Sequence, residues 1–298
     1  MKCDQCSNDA VAYLRYFNRK LCADCFKKLT EQRFTKTITK NKLIERGHKI
    51  GVAVSGGKDS ITLLQLLGQH AARYPIELFG IVIDEGINGY RETSIPIAEK
   101  NFKDLGVDYT ILSFKDELGK TLDTMCVDRQ RNACSYCGVF RRRLMNQAAR
   151  DAGCDKLATG HNLDDEVQSI MMNYLRGDFE RLSRSGPSTA NQDGYVQRIK
   201  PMREIPEKES ALYAMLSGFE IHLEECPYAE EAFRTTVRDL INNMEDKSPG
   251  IKFSILNGAD NLNDLLGDKF SPAELKTCKC GEKTVTETCK ACQLLEEL

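Results

Sequence analysis

Between about residues 45 and 225 the chain alternates short apolar runs with longer stretches of helical periodicity. "KIGVAVS" reads as a strand, and "DSITLLQLLGQHAARY" as a helix whose apolar residues recur every three or four positions. "IELFGIVIDEG" then reads as a strand, "ETSIPIAEKNFKDLG" as a helix and "VDYTILSF" as a strand. The series continues through the helix "YCGVFRRRLMNQAARDAG", the strand "CDKLATGH" and the helix "LDDEVQSIMMNYLRGD". It ends with the strand "YVQRIKPM" and the helix "EKESALYAMLSG". Such alternation predicts an α/β fold, a parallel sheet with helices on both faces. Ligands then bind beyond the carboxyl ends of the strands. The polar segments "SGGKDS", "DEG" and "TGHN" each follow a strand, so they are predicted to converge on one crevice. Residues 183–194, "SRSGPSTANQDG", read as a mobile loop.

Composition narrows the class. The 298 residues allow one large core with appendages, or two domains. A net charge of −2 provides no global positive field, so any contact with nucleic acid must come from local patches. No apolar run approaches the ~20 residues of a membrane span. The N-terminus "MKCDQCSNDA" has no apolar signal core, so a cytoplasmic protein without a membrane anchor is expected. The expected domains are an N-terminal metal module over 1–30, a catalytic domain over 31–225, a helical extension over 226–276 and a C-terminal metal module over 277–298.

Thirteen cysteines are many for such a chain, and most stand in close pairs. In a cytosolic chain such pairs favour metal over disulfide. Cys3-x2-Cys6 and Cys22-x2-Cys25 have the spacing of two zinc knuckles. Zinc would replace the core that this short segment lacks. Cys278-x-Cys280 and Cys289-x2-Cys292 form a second zinc candidate, with a tighter first knuckle. Of the remaining five, Cys126 and Cys154 read as core residues. Cys134-Ser-Tyr-Cys137 opens a helix carrying Arg141, Arg142 and Arg143, a setting that lowers thiol pKa. Cys226, in "EECPYAEE", is a candidate third ligand, since three thiolates can hold a 4Fe–4S cluster with one iron lacking a protein ligand. Spacing alone leaves a redox disulfide, a third metal site and buried thiols open.

The stretch Ser55-Gly56-Gly57-Lys58-Asp59-Ser60 lies between a strand and a helix. Gly51 and Gly56 have the Walker A separation, but Gly57 stands where the lysine belongs, so that match fails. What remains is an anion nest. Backbone N–H groups meet a helix N-terminus, Ser55 and Ser60 add hydroxyls, Lys58 adds charge, and the glycines allow close approach.

"SGGKDS" resembles the loop of the PP-loop ATP pyrophosphatases, whose fold is Rossmann-like. The resemblance implies that the loop grips the β,γ-pyrophosphate of ATP, with Mg²⁺, while a nucleophile attacks the α-phosphorus. It further implies nucleotide contacts from Ala53, Ile83, Asp84, Gly160 and His161. Terminal Cys modules flanking "CSYC", "TGHNLDDE" and "ECPY" make the chain similar to the tRNA 2-thiouridine synthetases of archaeal and eukaryotic cytosolic type. This implies a 4Fe–4S cluster on Cys134, Cys137 and Cys226, with sulfide on the free iron and with Asp165 and Arg141 in the active site. The uridine C2 oxygen would be adenylated and then replaced by sulfur. Lys58 and Arg141 would stabilise phosphate charge, and Asp59 or Asp165 would hold Mg²⁺ or orient the nucleophile. The chain departs from the family at Cys278-x-Cys280, and at Arg141, where some relatives carry lysine. Arginine still binds anions but does not serve as a general base.

The resemblance implies a tRNA substrate, a sulfur donor that is free sulfide or a ubiquitin-like carrier, and a homodimer. Lys27, Lys28, Arg33, Lys36, Lys40, Lys42, Arg46 and Lys49, with Arg176, Arg181 and Arg184, are the natural phosphate contacts. The family's target is either the wobble or the T-loop uridine. A chain rich in Asn, Gln, Cys and Met favours the wobble site, because T-loop thiolation is implied to serve heat tolerance. The alternative class is a non-catalytic zinc-ribbon RNA scaffold, which the intact "SGGKDS" disfavours.

Overall fold

The structure, a computed structural model, describes residues 1–127, 131–229, 233–266, 270 and 275–298. A small hairpin, β1 (Ala12–Leu14) and β2 (Arg19–Leu21), leads into α1 (Ala23–Lys40). The central sheet comprises β3 (Lys49–Ala53), β4 (Glu77–Asp84), β5 (Asp108–Ser113), β6 (Lys156–Ala158) and β7 (Gln197–Ile199). Their spatial order is β5-β4-β3-β6-β7, and every neighbouring pair is parallel. The connections carry α2 (Lys58–Ala71), α3 (Arg91–Leu105), the short α4 (Phe114–Leu118) and α5 (Leu122–Met125), and α6 (Ala133–Asp151). They continue with α7 (Leu163–Leu175), the short α8 (Phe179–Ser183) and, after β7, α9 (Glu207–Ser217). Chain order reverses between β3 and β6, so the switch point opens at the carboxyl ends of these two strands.

Successive strand residues point to opposite faces. Ile50, Val52, Val82 and Ala158 face one core, where Leu63 and Leu67 of α2 and Phe102 of α3 meet Phe26 and Phe34 of α1. Ile81, Ile83 and Leu157 face the other, with Tyr136, Phe140 and Leu144 of α6. Buried residues of the C-terminal module, Cys278, Ala291 and Leu294, belong to this second core. The two Cys modules therefore buttress opposite faces of one sheet. The described part of the helical extension holds α10 (Phe233–Lys247) and α11 (Ile251–Leu266), whose Val237, Ile241 and Leu256 pack on Leu163 and Val167 of α7. Residues 230–232, 267–269 and 271–274 of that extension lie outside the described residues. The chain ends in the hairpin β8 (Lys276–Thr277) and β9 (Lys283–Thr284) and the helix α12 (Lys290–Glu296).

Two segments differ from their sequence reading. Helix α1 runs through residue 30 without a break. Its buried stripe is Phe26, Thr30, Phe34, Thr37 and Ile38, a helical spacing in which threonine takes apolar places. The Thr30 and Thr37 hydroxyls donate to the carbonyls of Phe26 and Arg33, so burial leaves them satisfied. The loop 183–194 is pinned to the sheet edge. Thr189 N donates to Arg198 O (2.9 Å) and Lys200 N to Pro187 O (2.9 Å), extending the hydrogen bonding of β7. No helix among the described residues is long and apolar enough to cross a membrane.

Candidate active site

The segment Ser55–Ser60 turns from β3 into α2 at the switch point. Gly56 takes φ +88°, and a Cβ there would collide with the Ser94 carbonyl oxygen. Gly57 occupies the N-cap of α2 with no side-chain cap, which leaves the first amides of the helix open to an anion. Ser60 Oγ accepts from Ser55 N (3.1 Å) and donates to Gly57 O (2.9 Å), so the turn is held from within. Gly160, after β6, comes so close that a Cβ would lie 3.0 Å from the Asp59 carbonyl oxygen. "SGGKDS" and "TGHN" thus meet across the switch point, as their positions after strands predict. His161 Nδ1 pairs with Thr159 Oγ1 at 2.8 Å, and burial pulls its pKa down to about 4, so the ring is neutral at pH 7.

Charged groups line the floor. Lys58 Nζ reaches Asp59 Oδ2 and Glu207 Oε1, each at 2.8 Å. Burial opposes its charge, but the two carboxylates outweigh burial and hold Lys58 above the usual lysine range. The other oxygen, Asp59 Oδ1, is buried without a hydrogen-bond partner. Asp165 closes a capping box with Asn162 at the start of α7 and pairs with Arg234 Nη1 at 3.1 Å. Burial pushes its carboxyl up to about 6, with Asp59 and Glu207 adding to the rise and Arg234 opposing it. Its neighbours Asp164 and Glu166 stand in the first turn of α7, where acidic charge complements the helix N-terminus. Each also ties helix α7 to a distant element. Asp164 bonds Lys252 of α11 and Glu207 N, and Glu166 bonds Lys200 Nζ (2.7 Å).

Glu85, in "DEG" after β4, is 2% exposed and sits between two guanidinium groups. Its carboxylate is 2.5 Å from Arg91 Nε and 2.7 Å from Arg141 Nε. Arg91 in turn donates to Ser55 O (3.1 Å) and to Ile83 O, joining the ends of β3 and β4. Arg141 donates to Cys137 Sγ at 2.9 Å. Glu85, then the Cys137 sulfur, hold the Arg141 guanidinium above its usual range against the cost of burial. The hub therefore links the phosphate loop to the cysteines of α6. Glu85→Ala would leave two cations facing each other without their counter-ion, which costs about 3 kcal/mol. Urea unfolding is expected to show a loss of that size, and an unchanged midpoint would contradict the hub.

The three cluster candidates reach the same side. Cys134 and Cys137 lie in the first turn and a half of α6, whose N-cap Asn132 accepts from Ser135 N. Cys226 arrives because the chain after α9 runs along the phosphate loop, where His222 N donates to Gly56 O (2.9 Å). Cys134 Sγ contacts Tyr228 O at 3.7 Å, and Cys226 and Cys137 feel one another's charge. Against the sequence expectation of a lowered thiol pKa, burial pushes Cys137 up to about 11, with Arg141 opposing. Cys154 packs in the core beneath β3, 3.2 Å from a Cβ built on Gly51, and half-buried Cys126 packs against the same core cluster.

The terminal cysteines form two compact tetrads. In each, Cys3/Cys6/Cys22/Cys25 and Cys278/Cys280/Cys289/Cys292, all sulfurs lie within 4.8 Å of one another. Against a desolvation cost, the amides of Cys22, Gln5 and Cys6 hold Cys3 down to about 6. The amides of Cys280 and Cys289 hold Cys278 down to about 6. Four thiols this close together fit zinc. The tight Cys278-x-Cys280 knuckle reaches the geometry through a turn in which Gly281, at φ +85°, donates to Cys278 O. The sulfurs of Cys134, Cys137 and Cys226 do not all lie within that 4.8 Å. Three thiolates are the donor set that a 4Fe–4S cluster takes, one to each of three irons, so these residues fit the cluster by their chemistry.

Residues 27–245 match the family described as "PP-loop domain", and residues 2–27 match "2-thiouridine synthetase TtuA, N-terminal LIM domain". The "tRNA 2-thiolation protein NcsA" of Haloferax volcanii is 36% identical over 100% of this chain and 99% of its own length. The "tRNA-5-methyluridine(54) 2-sulfurtransferase" of Pyrococcus horikoshii is 36% identical, covering 98% of this chain and 93% of that protein. The solved "U34-tRNA thiolase NcsA from Methanococcus maripaludis with its [4Fe-4S] cluster" superposes with a TM-score of 0.87 at 36% identity, over 100% of this chain and 96% of that one. The chain belongs to the PP-loop tRNA 2-thiolation family.

Sequence reasoning missed several residues of this PP-loop site. Glu85, Arg91, Glu207 and Arg234 act through partners remote in sequence, and only "DEG" flagged one of them. In the basic patches, Arg33 is not a free cation. It is nearly buried on Glu209 (2.8 Å) and Tyr16, so it braces α1 against α9. Lys49 pairs with Glu77, Arg181 with Asp178 and Arg184 with Glu180. Lys27, Lys28, Lys36 and Lys40 line one open groove on α1 with Arg73.

Proposed function

We propose that this protein is an ATP-dependent tRNA uridine 2-thiolase of the cytoplasm acting at the wobble position. The observation that carries the mechanism is the Glu85 hub, which sets the Cys137 sulfur and the phosphate loop on one crevice through Arg141 and Arg91. The amides after Gly57, with the Ser55 and Ser60 hydroxyls, hold the pyrophosphate of ATP. Ala53, Ile83, Asp84, Gly160 and the neutral His161 line the nucleoside side. Lys58 exchanges its carboxylate partners for phosphate oxygens as ATP enters. Asp59, whose Oδ1 has no partner, is the ligand for Mg²⁺ on those phosphates. The uridine C2 oxygen attacks the α-phosphorus and pyrophosphate leaves. Asp165, held by Arg234, orients the uridine. Arg141 neutralises the AMP that departs from C2. When bound by Cys134, Cys137 and Cys226, a 4Fe–4S cluster supplies the sulfur nucleophile. The two Cys tetrads hold structural zinc. Homodimerisation, and sulfur from free sulfide or a ubiquitin-like carrier, belong to the same reading.

The likeness to a wobble-uridine thiolase over the full chain supports the position, together with the composition. The equal identity of the Pyrococcus horikoshii relative keeps the T-loop uridine as the second reading. Anaerobic protein with ATP, sulfide and unmodified tRNA is expected to release pyrophosphate and form 2-thiouridine. Mass spectrometry of nuclease fragments then locates it in the anticodon loop. Thiolation of the T-loop fragment alone would overturn the position. Absence of tRNA-dependent AMP would overturn the enzyme.

Asp165 sets a pH limit on that reaction. With its carboxyl raised to about 6, the charged form that holds Arg234 dominates above pH 6 and is lost below it. kcat/KM for pyrophosphate release is expected to fall about tenfold per pH unit below that point. Asp165→Asn is expected to be slow at every pH and to lack this limb. A limb that persisted in Asp165→Asn would belong to another group.

A further inference from the structure

The described arginines with little exposure are matched by acids: Arg91 by Glu85, Arg33 by Glu209 and Arg203 by Asp260. Arg198 is half-buried and Arg142 exposed, and neither has an acid partner among the described residues. The groups that bear on Arg142 are Arg198, Arg141 and Arg181, with only the Cys137 sulfur opposing them. On Arg198 only Tyr195 does so. Local geometry brings the pair abreast. Asn146 Oδ1 accepts from Val196 N (2.8 Å) and Asn146 Nδ2 donates to Gly194 O (3.1 Å), which staples α6 to the start of β7. Four residues back along α6 is about 6 Å and reaches Arg142. Two residues forward on the strand is about 6.6 Å and reaches Arg198, on the same side as Val196. Helix and strand run in opposite senses, so both steps lead towards the carboxyl end of the sheet.

Arg198 stands opposite Leu157 of β6, the strand that leads into Gly160 and His161, and its charge bears on His161. The pair is thus at the rim of the crevice, beyond β6. Two strand spacings, about 10 Å, separate β7 from β3 and its phosphate loop, so the pyrophosphate of ATP has its cradle elsewhere. Arg181 of α8 bears on Arg142, and close to Arg181 in the chain are the exposed rings of Phe179 and Tyr174, whose centroids are 6.3 Å apart. Exposed rings beside cations form the platform on which unpaired bases stack.

We infer that Arg142 and Arg198 form a receptor for a backbone phosphodiester of the RNA, next to the uridine turned into the crevice. Two guanidinium forks without a carboxylate partner match one phosphate bidentately. This inference rests on the tRNA reading above and adds the place where the strand is gripped. Removing either arginine breaks no ion pair and relieves like-charge repulsion, so stability is expected to hold or rise while RNA binding falls.

The test is binding of unmodified tRNA across a salt series by wild type, Arg142→Met/Arg198→Met and Arg142→Lys/Arg198→Lys, with a non-hydrolysable ATP analogue titrated in parallel. The Met pair is expected to weaken tRNA binding at least tenfold. It also makes the slope of log K against log salt shallower by about one. Affinity for the analogue stays within twofold, and Tm is unchanged or higher. The Lys pair keeps the slope and loses part of the affinity, because a lysine is a point charge rather than a fork. A Met pair with wild-type affinity and slope overturns the receptor while the thiolase reading stands. So does weakened analogue binding with tRNA unaffected, which would make the pair a nucleotide site, or a Tm several degrees lower, which would make it structural. A wild type that thiolates nothing and binds no tRNA overturns both.

Discussion

Gly56→Ala is expected to lower kcat/KM for pyrophosphate release about ten-thousandfold. Gly56 is at φ +88°, where an added Cβ costs about 1–2 kcal/mol on local grounds. The larger effect is the collision with the Ser94 carbonyl oxygen, which belongs to the backbone of α3 and has no rotamer to escape into. The loop must shift instead. A displacement of about 1 Å costs about a hundredfold when reacting groups are held for in-line attack, and a lost oxyanion donor costs about as much again. Gly57→Ala separates strain from general sensitivity. Gly57 is at φ −73°, and the nearest atom to its Cβ is 3.6 Å away, so that variant is expected to melt at the wild-type temperature. A coupled pyrophosphate assay and thermal unfolding of both variants decide the matter. A Gly56→Ala enzyme at near wild-type rate would mean that the loop does not carry the leaving group.

The strands and helices of the sheet domain were legible because periods of two and of about 3.6 residues are separable where apolar residues are plentiful. Helix α1 was not, since Thr30 and Thr37 stand where the pattern needs apolar residues and become acceptable only by donating to the preceding turn. The same helix misled on charge. Arg33 reads as one cation in a basic run, yet it points inward to Glu209, a partner 176 residues away. In the site, the phosphate loop and the tetrads are local in sequence and were readable from spacing. The Lys58–Glu207 and Asp165–Arg234 pairs span 149 and 69 residues, and no local signal announces such partners. Cys226 is the instructive middle case. Its sequence position made it a candidate partner of Cys134 and Cys137 among open alternatives, the resemblance chose that one, and its physical reason is the bridge between His222 and the phosphate loop.

That bridge gives Cys226→Ala a specific expected result. The segment is held by His222 N on Gly56 O, by His222 Nε2 with Thr93 Oγ1 (2.9 Å) and by the Tyr90 ring edge-on at 5.0 Å. None of these contacts uses the cysteine side chain, so the variant should fold and keep both tetrads. Anaerobically purified wild type is expected to carry about four iron with matching acid-labile sulfide. It should also carry one zinc per tetrad. Cys226→Ala is expected to lose iron and sulfide together and to retain its zinc, because two thiolates of α6 cannot hold the cube alone. Thiolation should then stop. Arg141, no longer beside a ligated sulfur, keeps Glu85 as its partner, so the phosphate loop stays anchored through Arg91 and the ATP analogue still binds. Iron retained in the variant would move the third ligand elsewhere. Zinc without iron in anaerobic wild type would remove the cluster from the mechanism, and sulfide itself would then have to attack the adenylated C2 and expel AMP. Loss of zinc along with iron would mean that Cys226 supports the fold rather than the sulfur chemistry.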